Sequence, residues 1–226
     1  MNISNQDIRA TISPLRLVFW GGLICVFDFT FSQTVNGEGW KFDIINDLVG
    51  MLMITWSVVQ LGKIELHDRY RIAMNFVTIV ATLSCLDALQ AHFIYDTPTF
   101  VSFLLSVLGV LAMLATVVFC IAMQWLCREA DLQRSERSWR TTTLLFIFIY
   151  LIPLGLFYGA AAIAIITEAS FNINLGPLGL LLMPVFCIPL IHLFVSTSRM
   201  RSDVELNASM VQQDGGGQPT IRPESK

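Results

Sequence analysis

The chain has 226 residues, of which 54% are hydrophobic and 14% charged, with a net charge of −3 at pH 7. Soluble domains carry about a quarter charged residues, so a soluble globule, a disordered chain, a collagen and a disulfide scaffold are excluded. The mean hydropathy of +0.64 agrees with a membrane chain, and the small net charge gives no argument for a nucleic-acid partner.

The first apolar run begins near Leu15, is flanked by Arg9 and Arg16, and closes without a small-x-small cleavage site. It reads as a retained span, not a cleaved signal. A bilayer helix needs about 20 mostly apolar residues. Six stretches approach that length: 15–32, 44–62, 72–95, 100–126, 142–166 and 175–197. The fourth and fifth carry no charge, and the second is weakest because Asn46 and Asp47 interrupt its start. The expected fold is all-α: a polytopic membrane helix bundle with six transmembrane helices filling 1–197.

Loop charges test the span count independently. With six spans, every Lys and Arg except Lys41 falls on one side of the membrane. Positive residues stay inside during insertion, so both termini are expected to be cytoplasmic. Trp40 and Tyr95 would mark the outer boundary, Trp125 and Trp139 the inner one. The polar stretch 198–226, with its Gly215-Gly216-Gly217 run and two prolines, reads as a disordered cytoplasmic tail.

Within the spans, Gly155 and Gly159 form a G-x-x-x-G that lets two helices approach closely. An internal packing seam is the favoured reading, and a homo-oligomer through the same two glycines is the alternative. Pro153 removes a backbone hydrogen bond and should kink the fifth span. Cys25, Cys85, Cys120, Cys127 and Cys187 form no C-x-x-C pair and read as free thiols at lipid depth.

Ionisable groups at membrane depth mark function by default. Asp28 lies late in the first span, Asp43 and Asp47 early in the second, and Asp87 near the outer end of the third. All four fall in the outer half, with Asn172 at similar height. Asp43 and Asp47 are four residues apart, which puts them on one helix face. Two ionised carboxylates on one face repel, and holding a proton or a cation relieves them. The bland alternative makes Asp43 a helix cap and leaves Asp28 wet at the interface. His92 is about 140° from Asp87 around the helix, so no acid–base couple forms there. Nucleophile elbows, H-E-x-x-H, phosphate-binding loops and dinucleotide fingerprints are absent, and no cofactor is called for.

The stretch Phe42-Asp43-Ile44-Ile45-Asn46-Asp47-Leu48-Val49-Gly50 resembles a motif, approximately F-D-I-L-P-D-F-I-G, of small uncharacterised bacterial multi-pass membrane proteins. The likeness covers about 15–63, and Asn46 stands where that motif has proline. It implies a span opening at the motif, an aspartate closing the preceding span, and residence in the bacterial cytoplasmic membrane. It implies no activity.

Three functions compete. The first is binding or transport of a cation, proton or small solute through an outer-leaflet acidic pocket of Asp28, Asp43, Asp47, Asp87 and Asn172. The second is a non-catalytic assembly or sensor subunit whose basic inner loops, with Arg134, Arg137 and Arg140 spaced by three, meet lipid or a partner. The third, an intramembrane aspartate-dependent enzyme, is least favoured because G-x-G-D is absent.

Overall fold

A computed structural model of the chain describes residues 5–26, 30–35, 38–43, 47–93, 99–167 and 177–215. Among the described residues it is all-α apart from one two-stranded hairpin. Helix α1 (Asn5–Val26) leads into β1 (Thr30–Val35) and β2 (Glu38–Asp43), followed by α2 (Asp47–Gly62), α3 (Asp68–Phe93) and α4 (Thr99–Glu129). Helix α5 runs as Gln133–Phe146, passes through a π-helical turn at Ile147–Leu151, and resumes as Ile152–Ile166. Helix α6 is Pro177–Gly215. Among the described residues three helices are long and apolar enough to cross a membrane: Asp68–Leu89, Phe103–Glu129 and Gln133–Ala160. Helix α2 is apolar but has 16 residues, about 24 Å at the helical rise.

The hairpin corrects the reading of 15–32 as one helical span. Helix α1 ends at Val26, and Thr30 to Val35 pair antiparallel with Glu38 to Asp43. The strands are rich in Thr, Phe, Val and Trp and flank an Asn36-Gly37 dipeptide in the sequence, the strongest short-range hairpin signal. Phe42 and Asp43 therefore belong to a strand, and α2 opens at Asp47.

Helices α1 and α2 cross in close contact at two glycines. A Cβ on Gly50 would lie 2.7 Å from the Gly21 carbonyl oxygen and 2.6 Å from Cys25 Sγ. One on Gly21 would lie 2.6 Å from the Gly50 carbonyl oxygen. Only glycine at both positions permits this approach.

The α2–α3 and α4–α5 connections lie at one end of the bundle, here called the turn end. There His67 Nδ1 accepts the Tyr70 backbone N–H at 2.9 Å and caps α3. The buried Tyr70 hydroxyl donates to the Leu61 carbonyl at 2.9 Å, alongside the Ile64 backbone N–H that the same oxygen accepts at 3.2 Å at the close of α2. Helix α4 ends in a Schellman turn. Asp131 sits at φ 53°, its N–H reaches the Arg128 carbonyl, and the Leu132 N–H reaches the Cys127 carbonyl.

The core sits toward the turn end, where Leu61, Tyr70, Met74, Met123, Leu126, Trp139 and Met200 are fully buried. Beside this apolar core, polar residues are buried too, and large apolar side chains face outward. Ser57, Ser135, Ser138, Thr142 and Ser196 are buried, while Phe103, Phe148, Leu156 and Ile191 are exposed.

Three packing expectations need correction. Gly155 and Gly159 have no neighbouring atom within 4 Å of an added Cβ, so they form no internal seam among the described residues. Trp139 is 0% exposed and packs edge-on against Phe119 as a core residue, not as an interfacial anchor. The segment after Thr197 continues α6 as helix to Gly215, with Met200 and Val204 buried one turn apart. Residues 216–226 lie outside the described residues.

Candidate functional site

Two of the five residues assigned to an outer acidic pocket, Asp28 and Asn172, lie outside the described residues. Asp43 closes β2 opposite Thr30 and does not share a helix with Asp47, so the expected single helical face is not formed. Asp47 is the first residue of α2, half-buried beside the α1–α2 crossing, where its carbonyl lies 3.8 Å from Cys25 Sγ. Asp87 is half-buried on α3. Thr55 donates to the Ala81 carbonyl at 3.2 Å and fixes the alignment of α2 with α3. From that bond Asp47 lies about 12 Å and Asp87 about 9 Å toward the hairpin end. The two carboxylates thus share a level on adjacent helices. Among the described residues no three His, Cys, Asp or Glu side chains are grouped to hold a metal ion.

The densest polar chemistry lies instead between α5 and α6. Ser196 Oγ is 2.8 Å from Ser138 Oγ and 2.7 Å from Thr142 Oγ1. Thr142 Oγ1 is 2.8 Å from His192 Nδ1. Arg199 Nη1 donates to Ser138 Oγ at 3.3 Å, and Ser135 donates to Asp203 Oδ2 at 2.5 Å. A neighbouring bond joins α4 to α5, Gln124 Nε2 donating to Thr143 Oγ1 at 2.5 Å. His192, Thr142, Ser196, Ser138 and Arg199 therefore form one continuous chain of hydrogen bonds. Its hydroxyls are enclosed by protein, which suits holding two helices in register better than attacking a substrate.

Sequence reasoning missed this zipper, although its signal is present. Ser135, Ser138 and Thr142 fall at i, i+3 and i+7, and His192, Ser196, Arg199 and Asp203 at i, i+4, i+7 and i+11. Each set makes one helical stripe. Farther along α5, the π-helical turn precedes Pro153, whose ring removes a backbone donor. Tyr150 in that turn donates to the Phe186 carbonyl and packs between Phe146 and Phe186. Here too a polar group on α5 is satisfied by α6.

Two clefts open at the turn end. One, of about 390 Å³, is lined by Arg128, Asp131, Gln133, Glu136, Arg137 and Arg140 around Leu132. The other, also about 390 Å³, lies between the α2–α3 turn and the end of α4, with His67, Asp68, Arg69 and Trp125 in its wall. Arg128 borders both and is tied to Glu136 at 2.8 Å. Lys41 lies in the hairpin and Arg16 midway along α1, whereas the other described Lys and Arg lie toward the turn end. Comparison with known proteins finds no match to a protein-family model, a curated protein or a solved structure.

Proposed function

We propose that this chain is a multi-pass protein of the bacterial cytoplasmic membrane, with six spans and both termini inside, and that it serves as a non-catalytic assembly or sensor subunit. The observation that carries the reading is its pattern of burial. Hydroxyl, amide and imidazole groups are paired between helices, while large apolar side chains face outward. That arrangement belongs to a solvent that cannot hydrogen-bond. The clustering of basic residues at the turn end supports placing that end in the cytoplasm. The clefts and charges gathered there favour a working surface at the inner membrane face over a site in the outer half. Alkaline carbonate extraction of membranes carrying the full chain tests it. Retention in the pellet is expected, and release with peripheral proteins would contradict the reading.

A second reading keeps the outer acidic residues as a proton or cation site. It is favoured by the shared level of Asp47 and Asp87 beside the glycine crossing. Under it, Asp47→Asn abolishes any pH or cation dependence of thermal stability and leaves the fold intact. An unchanged dependence would remove this reading and leave the first standing.

A further inference from the structure

We propose that the cleft at the α4–α5 turn binds the phosphate of an anionic phospholipid headgroup, with Arg137 and Arg140 as its ligands. This rests on the reading of α4 and α5 as membrane spans, and it assigns a lipid class and a site to the inner surface.

The charge balance of the cleft identifies the two side chains. Arg128 donates through Nε at 2.9 Å and Nη2 at 2.8 Å to Glu136 Oε1, which neutralises both. Arg137 and Arg140 then face the cleft with Asp131 as the remaining carboxylate in its wall. Their guanidinium groups have no hydrogen-bond or ion-pair partner among the described residues. Spaced by three on a helix, they stand as neighbours on its surface, close enough for two planar forks to clasp one phosphate.

The place of the cleft selects a lipid. The turn at 130–132 joins two membrane-crossing helices, Phe103–Glu129 and Gln133–Ala160. The apolar run of α5 begins only at Thr142, so Arg137 and Arg140 sit just outside the hydrocarbon, where lipid phosphates lie. The cytoplasmic leaflet is anionic and attracts such basic groups. The platform is also held rigid in advance. The Schellman turn sets the end of α4, and the Ser135–Asp203 and Ser138–Ser196 bonds pin the opening turns of α5 to α6. A pinned helix presents its two arginines with no further ordering of the backbone on binding, so only their side chains remain to be fixed.

The test uses the purified full chain in detergent. Retention of phosphatidylglycerol and phosphatidylcholine is measured by native mass spectrometry, with inorganic phosphate as competitor. Preferential retention of phosphatidylglycerol is expected. Arg137→Gln with Arg140→Gln should weaken it by about tenfold or more, while Arg201→Gln on α6 should not. Equal retention by the double variant, or no preference over phosphatidylcholine, would overturn the proposal. Competition by millimolar inorganic phosphate would assign a free-phosphate site and overturn the lipid. If the double glutamine variant does not fold, Arg137→Lys with Arg140→Lys keeps the charge but loses the fork. Weakened retention then supports the proposal, and wild-type retention overturns it. A chain that carbonate releases from membranes contradicts the membrane reading, whereas a carbonate-resistant chain with no lipid preference contradicts this inference alone.

Discussion

Thr142 on α5 and Ser196 on α6 face each other across a helix interface with their hydroxyl oxygens 2.7 Å apart. Neither residue is exposed. Thr142 also reaches His192 and Ser196 also reaches Ser138, so the pair is the centre of the bond chain that registers α6 against α5.

Thr142→Val and Ser196→Ala should each lower the unfolding free energy by about 1 kcal/mol, the range of interhelical hydrogen bonds in membrane bundles. Because they share one bond, the double variant should lose less than the sum of the two. Unfolding of the purified chain in mixed micelles with increasing denaturing detergent measures the cycle. Strict additivity would show that the two hydroxyls act independently.

Gly50→Ala should destabilise by about 1–3 kcal/mol, as overpacking does. The Cys25 sulfur can turn aside, but the Gly21 carbonyl at 2.7 Å can move only with its helix. Gly22→Ala is the matched control. It meets nothing within 4 Å and should stabilise by up to about 1 kcal/mol through helix propensity. Thermal unfolding of both variants decides it, and equal effects would mean the crossing is not close.

Tyr70→Phe removes one buried hydrogen bond to the Leu61 carbonyl, which keeps the Ile64 backbone N–H. The cost should be about 0.5–1.5 kcal/mol by the same unfolding measurement. A neutral result would show that the Ile64 N–H alone satisfies that carbonyl.

Met200→Ala should cost about 2–4 kcal/mol, as truncation of a buried side chain does. Arg201→Ala, exposed beside it and paired with Glu205 on the surface, should cost little. If both are neutral, the end of α6 is not part of the core and the tail reading of 198–226 regains ground.

The sequence made the helices readable and left their ends obscure. Long apolar runs announce α3, α4 and α5 because a bilayer demands them, whereas apolarity alone does not say where a helix continues past the membrane. Leu193, Ser196, Thr197, Met200 and Val204 keep a spacing of three and four, so the core face of α6 runs beyond Thr197. Composition hid this, since the polar residues around Met200 resemble a tail. The hairpin was hidden by the opposite error, because Thr30, Phe31 and Ser32 follow the apolar run of α1 and read as the end of the same span. Of the acidic cluster, the structure brings Asp47 and Asp87 to one level on adjacent helices. Helix membership was not readable for Asp43, because a strand ended where a helix was expected to begin.

Sidedness of the turn end tests the account most directly. Single reporter tags are placed in the α2–α3 turn after Glu65, in the α4–α5 turn after Asp131, at the C-terminus, and at Asp96 in the α3–α4 connection. Protease or impermeant-label access is then compared in intact spheroplasts and inverted vesicles. The account predicts that the first three are reached only in inverted vesicles and Asp96 only in spheroplasts. Access to the Asp131 and Asp96 tags from the same side would contradict it.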